Sequence, residues 1–164
     1  MNKILISACL AGFNVRYNGS SKTLRHEVLE LWRKEGRLVF CCPELAAGFS
    51  TPRPPAEITV GASGSAIVCD GARVIENTGR DVTEDYLLGA HLTLQMAQRH
   101  QCRVALLTDG SPSCGSQTIY SGAFNGQVKN GNGVTAQLLR AHGIAVFSHR
   151  QLGQLITYLR AARE

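Results

Sequence analysis

The sequence predicts an α/β fold, a three-layer Rossmann-like sandwich with a mostly parallel sheet and a small β-hairpin insertion. Short apolar runs alternate along the chain with segments of helical periodicity, which is the order that builds βαβ units. The apolar runs are continuous rather than alternating, as in strands buried on both faces. A length of 164 residues suits one compact domain, so we expect residues 1–164 to form a single domain.

The first βαβ unit occupies the start of the chain. Residues 3–8 (KILISA) predict a buried strand, and residues 37–42 (RLVFCC) predict a second. Between them, Ser20 or Ser21 can cap a helix that runs to about Glu35. A strand, a helix and a strand in this order form a βαβ unit, so we expect the two strands to be parallel and their connection right-handed.

The middle of the chain is less regular. Residues 43–57 are rich in proline, and we expect them to form a long loop with no regular element. Two short strands then meet at an Asp-Gly turn at residues 70–71, a strong hairpin signal. Residues 81–84 resemble a capping box that opens a helix running to about His100.

The C-terminal half completes the sheet. Residues 102–108 predict a third buried strand and residues 144–147 a fourth. The intervening Gly- and Ser-rich segment 109–133 predicts a loop, followed by a helix over 134–142, and residues 151–163 predict a terminal helix. In open sheets of this kind, ligands bind outside the carboxyl ends of the strands, where loops from several strands meet.

Composition narrows the classes of function. The chain is 44% hydrophobic and 18% charged, as expected for a globular core and not for a disordered chain. Its net charge of +5 is scattered, so the clustered basic footprint of a nucleic-acid-binding protein is absent and a small-molecule partner is favoured. We expect no membrane partner, since no apolar run is long enough to span a bilayer. The N-terminal apolar run is too short and interrupted for a signal peptide, which places the protein in the cytoplasm.

Cysteine is the residue type that most needs an explanation. The chain has six: Cys9, Cys41, Cys42, Cys69, Cys102 and Cys114. In a reducing cytoplasm, metal binding or catalysis is favoured over disulfide formation, although a buried cysteine is also an ordinary small apolar residue. Cys9, Cys42 and Cys114 each follow a different predicted strand at its carboxyl end, so we expect these three thiols at one edge of the sheet.

The other three cysteines do not fit this pattern. Cys102 begins a strand and so belongs to the opposite edge, and Cys69 lies beside the predicted hairpin turn. Cys41 precedes Cys42 directly, and adjacent side chains of a strand point to opposite faces. Three thiolates favour zinc, Cu(I) or an iron–sulfur cluster. No histidine lies in the predicted loops at that edge, which leaves a structural zinc without a fourth ligand.

Three residues near these cysteines carry further chemistry. Glu44, two residues after Cys42, is a candidate general acid or base, or else a solvated loop carboxylate. Ser111 opens the SPSCG loop, where its hydroxyl can bond a cluster sulfide or a substrate, or simply form a turn. Arg53, held between prolines, suits an anion or a polar heterocycle, or is an ordinary surface arginine.

Four segments of the chain together resemble the DUF523 family. They are SACLAGFNVRYNGSSK (residues 7–22), FCCPELAAGFSTPRPPAEI (40–58), GRDVTEDYLLGA (79–90) and SPSCGSQTIYSGAFNG (111–126). The blocks are long, occur in the family's order and extend over essentially the whole chain. Short single-domain members of this family include a thiouracil desulfidase in which three cysteines hold a [4Fe-4S] cluster with one open iron.

The resemblance implies a role for each candidate residue. Cys9, Cys42 and Cys114 match the cluster ligands, and Glu44 and Ser111 match the catalytic groups. Many relatives carry cysteine at the position of Val15, so this chain lacks a reserve ligand there. Because all three ligand positions are cysteine, the resemblance still implies that the cluster binds.

The implied function is a non-redox, hydrolase-type desulfuration of a thiolated nucleobase. 2-Thiouracil would become uracil plus sulfide, with the thiocarbonyl sulfur bound by the open iron. The sequence leaves two other classes open: a non-catalytic cluster-binding redox or oxygen sensor or accessory module, and a zinc protein with three cysteine ligands. It also leaves open a free base, a nucleoside or a thiolated tRNA as the substrate, and the oligomeric state.

Overall fold

The core of the protein is a four-stranded sheet in which every pairing is parallel. The structure, a computed structural model, describes residues 2–64 and 71–162. The strands are β1 (Ile4–Ser7), β2 (Leu38–Cys41), β5 (Val104–Leu107) and β8 (Ala145–Ser148), in the spatial order β2-β1-β5-β8. The predicted α/β fold with a mostly parallel sheet is confirmed.

Helices cover both faces of this sheet. On one face lie α1 (Glu27–Lys34) and α5 (Leu152–Ala161), and on the other lie α3 (Thr83–Arg99) and α4 (Val134–Ala141). A short helix, α2 (Pro43–Ala46), follows β2 directly. No helix in the described ranges is long and apolar enough to cross a bilayer.

The strand β1 supplies both layers of the core. Ile4 and Ile6 share a buried cluster with Trp32 of α1, and Leu5 shares the other cluster with Leu94 of α3. Alternate side chains of a strand point to opposite faces, so a continuous apolar run is needed to fill both layers.

Two small antiparallel sheets accompany the parallel one. β3 (Ala56–Ile58) pairs with β4 (Val74–Glu76), and β6 (Thr118–Tyr120) pairs with β7 (Val128–Asn130). Of the hairpin predicted about residues 70–71, the second strand corresponds to β4. Its first strand, residues 66–70, lies outside the described residues.

Two predicted loops were wrong in part. The segment 43–57 contains α2 and the start of β3, because Pro43 occupies the first helical turn, where its missing N–H is not needed. The segment 109–133 contains the β6–β7 hairpin, whose short strands the Gly and Ser content concealed.

The predicted start of the first helix was also wrong. The helix α1 begins at Glu27, and His26 caps it by accepting a hydrogen bond at Nδ1 from the Val28 N–H. Residues before it are held elsewhere, because the N–H groups of Lys22 and Leu24 donate to carbonyls of the 3₁₀ turn that follows β1. Ser20 and Ser21 therefore belong to the loop after this turn.

The helices α2 and α3 touch at a glycine. A Cβ atom at Gly89 would lie 2.3 Å from the carbonyl oxygen of Pro43, closer than real Cβ atoms come to any oxygen. Since Pro43 lies between Cys42 and Glu44, this contact determines the position of the short helix that carries both side chains.

We predict that Gly89→Ala destabilises the protein by about 1–3 kcal/mol, the usual cost of overpacking. Gly153→Ala is the matched control, because Gly153 is also helical but has no atom within 4 Å of its missing Cβ. The control is expected to be neutral or to gain up to about 1 kcal/mol from helix propensity. Urea unfolding measures both, and equal effects at the two sites would contradict this account of the contact.

Candidate active site

A cavity of about 430 Å³ opens at the carboxyl edge of the parallel sheet. Its walls come from the segments after β1, β2 and β5 and from both antiparallel hairpins. The structure brings Cys9, Cys42 and Cys114 together here, along with Glu44 and Ser111. All five residues singled out in the sequence therefore line one cavity.

Each of the three cysteines is held by local backbone structure. Cys9 is buried in the 3₁₀ turn Ala8–Ala11 that follows β1 directly. Cys42 is the N-cap residue of α2, where the backbone is still extended. Cys114 is buried in the turn after β5, and its N–H donates to Ser111 Oγ at 3.1 Å.

The remaining cysteines divide differently from the prediction. Cys41 lines the same cavity, although strand alternation predicted that it would point away. It is the last residue of β2, and the cavity reaches around the end of that strand. Cys102 is buried in the core away from the cavity, as predicted. Cys69 lies outside the described residues.

Burial favours the protonated form of the three thiols. Burial raises the pKa of the Cys9 and Cys114 thiols and raises the pKa of Cys42 to about 11. For Cys42 and Cys114, the negative charge of Glu44 adds to the rise in pKa. Coordination to a metal reverses this state, because a coordinating thiol loses its proton outright.

The three thiols are soft donors of the kind that iron–sulfur clusters take. Cys9, Cys42 and Cys114 come from separate segments and line one cavity. Within residues 2–64 and 71–162, no group of three His, Cys, Asp or Glu side chains is arranged to hold a metal ion. Thiolate ligands favour iron–sulfur centres, zinc or Cu(I).

Glu44 is a buried carboxylate with two donors. It is 9% exposed, so it is not the solvated loop residue considered as the alternative. Ser113 Oγ donates to Oε1 at 3.1 Å, and Cys42 Sγ donates to Oε2 at 3.7 Å. The carboxylate is therefore fixed between the second and third cysteine segments.

The SPSCG loop is organised by its own serines. Ser111 Oγ accepts hydrogen bonds from the N–H groups of Ser113 at 2.9 Å and Cys114 at 3.1 Å. The sequence pointed to Ser111 as a catalytic group but not to the part played by the neighbouring Ser113, whose buried hydroxyl holds Glu44. The only signal for Ser113 was its place beside Cys114, which turn chemistry explains equally well.

Asp109, which the sequence did not single out, fixes the same loop through hydrogen bonds to its carboxylate. Its Oδ1 accepts from the N–H groups of Ser116, Gln117 and Thr118, and its Oδ2 accepts from Thr118 Oγ1. Burial opposes ionisation of Asp109, but these hydrogen bonds outweigh it and keep its pKa below the ordinary value. With its acceptors occupied in this way, Asp109 serves as a scaffold for the turn that follows β5.

His149 supports Asp109 and does not line the cavity. The Asp109 N–H donates to His149 Nδ1 at 3.2 Å. Burial, together with the positive charges of Lys22 and Arg150, lowers the pKa of His149, so the ring is neutral and can accept this bond.

Three partly buried cations line the cavity: Arg16, Lys22 and Arg53. Burial and the nearby charges of Arg16 and Arg150 lower the pKa of Lys22. Among the described residues, no ion pair joins Arg16 or Lys22 to a carboxylate. Arg53 donates to Thr51 Oγ1 at 3.3 Å and is half-buried beside the cysteines. These cations offset the negative charge that three thiolates would bring.

A family model, a related protein and a solved structure all match nearly the whole chain. The family model described as 2-thiouracil desulfurase matches residues 4–151. The uncharacterized protein YbbK of Bacillus subtilis (strain 168) is 44% identical over 156 residues, which cover 93% of this chain and 99% of YbbK. A solved structure of the [4Fe-4S]-dependent thiouracil desulfidase TudS (DUF523Vcz) is 44% identical, with a TM-score of 0.88 over 98% of this chain and 99% of that one.

We predict that Asp109→Asn costs at least about 2 kcal/mol at neutral pH, since hydrogen bonds to a charged group are worth about 1.5–3 kcal/mol. The pKa of Asp109 is lowered by folding, so its contribution is present above the unfolded pKa of about 3.9 and is lost as pH falls through the folded value. Urea unfolding from pH 7 into acid tests this. The gap between wild type and variant should stay constant above about pH 5 and narrow below about pH 4.

The exposed Glu84, in the first turn of α3, provides the control for Asp109. Glu84→Gln should cost less than about 1 kcal/mol, the usual size of a helix-dipole effect at the surface. An Asp109→Asn protein as stable as this control would show that the turn does not need the carboxylate.

Proposed function

The chain belongs to the 2-thiouracil desulfurase family, as its resemblance to DUF523 indicated, and on this premise we propose that it removes sulfur from a thiolated pyrimidine. The net reaction is 2-thiouracil plus water giving uracil plus hydrogen sulfide, with no electrons transferred. The observation that carries the proposal is the convergence of Cys9, Cys42 and Cys114 on one cavity beside the buried Glu44.

We assign Cys9, Cys42 and Cys114 as the three thiolate ligands of a [4Fe-4S] cluster. When bound, the cluster supplies an iron with an open position, a Lewis acid for the thiocarbonyl sulfur. The cations Arg16, Lys22 and Arg53 compensate the charge of the thiolates. The volume of the cavity is within the usual range for small-molecule sites, which favours a base-sized ligand over a nucleic acid.

Glu44 acts on the water. Its carboxylate takes a proton from a water molecule whose oxygen attacks the thiocarbonyl carbon; the carbon–sulfur bond breaks, and the protons leave with the sulfide. The hydrogen bond from Ser113 orients Oε1 and keeps the carboxylate in the cavity wall. A positioned general base contributes about 10²–10⁴-fold to rate.

Ser111 orients the substrate. Its oxygen already accepts two backbone N–H bonds, so its own O–H is left as a donor toward the cavity that Ser111 lines. A hydroxyl donor in this place suits a ring nitrogen or a carbonyl oxygen of the pyrimidine. We expect the reaction to take place in the cytoplasm, where thiols stay reduced.

The first test concerns the cysteines. Changing Cys9, Cys42 or Cys114 singly to Ser should remove most of the bound iron and the anaerobic release of sulfide from 2-thiouracil. Iron analysis, visible absorbance and a sulfide assay on anaerobically purified protein measure these losses. Intact cluster and no sulfide release in the wild-type protein would instead favour a sensor or accessory role.

Cys102→Ser is the control for these variants, because Cys102 is buried like Cys9 and Cys114 but does not line the cavity. It should keep both iron and activity, as should Cys69→Ser. Cys41→Ser should lose less iron and activity than the three ligand variants, since Cys41 lines the cavity without being assigned as a ligand. Iron loss from Cys102→Ser as large as from Cys9→Ser would refute the assignment by position.

The second test concerns Glu44. Glu44→Gln keeps the side-chain shape and removes the acid–base function, so turnover should fall by roughly 10²–10⁴-fold with visible absorbance unchanged. Wild-type turnover with an intact cluster would exclude Glu44 as the base.

Ser111→Ala should lower turnover less than Glu44→Gln does, because it removes one orienting hydroxyl. The same oxygen supports the Cys114 backbone, so iron content is measured on the same sample. Ser111→Thr keeps the hydroxyl and should restore most of the activity.

A further inference from the structure

Three aromatic side chains in the cavity wall are exposed to solvent. Tyr17, Tyr120 and Phe124 all line the cavity, and each is about 40% exposed: 41%, 41% and 40%. Aromatic rings bury large areas when they can, so rings left open beside a cavity mark a surface for a ligand. A fourth aromatic residue of the wall, Tyr86, is buried, and the rest of the wall includes prolines and the thiols, carboxylates and cations already described.

Phe124 differs from the two tyrosines in its backbone. Its φ angle is +54°, in the left-handed region, and of the described non-glycine residues only Gln101 shares this property. A bulky residue rarely adopts this conformation, and it persists only where the surroundings enforce it. The two tyrosines line the cavity from ordinary backbone conformations.

A buried carboxylate enforces the conformation of Phe124. Glu57 on β3 is 9% exposed, and its Oε1 accepts from the N–H groups of Gly122 at 2.8 Å and Phe124 at 3.3 Å. Gly122 lies so close to β3 that a Cβ there would come within 2.5 Å of the Ile58 carbonyl oxygen. The loop between β6 and β7 is thus tied to β3 at the point where Phe124 turns toward the cavity.

We infer that Phe124 is a substrate-binding residue that stacks on the pyrimidine ring, and that Glu57 is the positioning residue that holds it there. The inference rests on the proposed function of this cavity. A pyrimidine has a π face that an aromatic ring can cover, and Phe offers no hydrogen-bonding group to compete with Ser111 or Glu44 for the ring's polar edge. Stacking accounts for both the open ring and the strained backbone that presents it.

The test measures the affinity for 2-thiouracil and its turnover in the cluster-containing protein. Phe124→Ala should raise the KM and the Kd for 2-thiouracil about 5- to 100-fold, the range of base–aromatic stacking. We expect visible absorbance to be unchanged and kcat to fall less than affinity does. Phe124→Tyr keeps the ring and should bind within a few-fold of wild type.

Two substitutions to glycine distinguish the effect of Phe124 on ligand binding from its effect on protein stability. Phe124→Gly and Gln101→Gly each place glycine at a left-handed position, so their thermal midpoints should shift in the same direction. Gln101 follows α3 and does not line the cavity. Only Phe124→Gly should weaken 2-thiouracil binding.

Glu57→Ala should weaken binding in the same way as Phe124→Ala, and Glu57→Gln should restore part of the affinity because its amide oxygen still accepts. Wild-type KM and Kd in Phe124→Ala would overturn the inference while leaving the proposed reaction intact.

Binding of 2-thiouracil without sulfide release by the wild-type protein would overturn the reaction. Weaker binding by Phe124→Ala would then still support stacking. Loss of cluster absorbance by Phe124→Ala in proportion to its loss of affinity would make its role structural and overturn the inference.

Discussion

Parallel pairing of the central strands is the constraint on which the site depends. β1 pairs in parallel with both β2 and β5, so the three strands end at the same edge of the sheet. Cys9 and Cys42 follow the ends of β1 and β2 almost directly, whereas Cys114 lies seven residues beyond the end of β5. The direction of the strands therefore places the first two thiols, and the turn organised by Ser111 and Asp109 places the third. An antiparallel β2 or β5 would carry its cysteine to the opposite edge.

Three buried carboxylates hold the segments at this edge of the sheet, and they accept hydrogen bonds from different donors. Both oxygens of Asp109 accept from the turn that carries Cys114, and one oxygen of Glu57 accepts from the backbone of the β6–β7 loop. Glu44 differs, because both of its donors are side chains, Ser113 Oγ and Cys42 Sγ. Asp109 and Glu57 hold backbone segments in place, whereas Glu44, held by two side chains at the cavity wall, suits the proposed role of general base.

The sequence was enough to predict the layered fold and the convergence of the thiols, because both follow from apolar runs and strand order. It was not enough to predict β3, β6 and β7, since each of these strands is only three residues long and lies in a segment rich in Pro, Gly or Ser. Cys41 was misplaced because strand alternation applies within a strand, and the cavity wraps around its end. Asp109 and Ser113 were missed for a related reason: an Asp or Ser in a Gly- and Ser-rich loop carries no sign of what it will bind until the loop has folded.

Under the proposed ligation and mechanism, the contact between Cys42 and Glu44 would link cluster binding to the reactivity of the proposed base. The Cys42 thiol donates to Glu44 Oε2 and the Ser113 hydroxyl donates to Oε1. A thiolate ligand has no proton to donate, so under the proposed ligation Oε2 loses its partner while Oε1 keeps the bond from Ser113. The carboxylate then stays oriented by one oxygen and presents the other to water. Assembly of the cofactor and exposure of the proposed base would on this account be a single event. The two side chains meet because Cys42 caps the short helix α2 and Glu44 lies in its first turn.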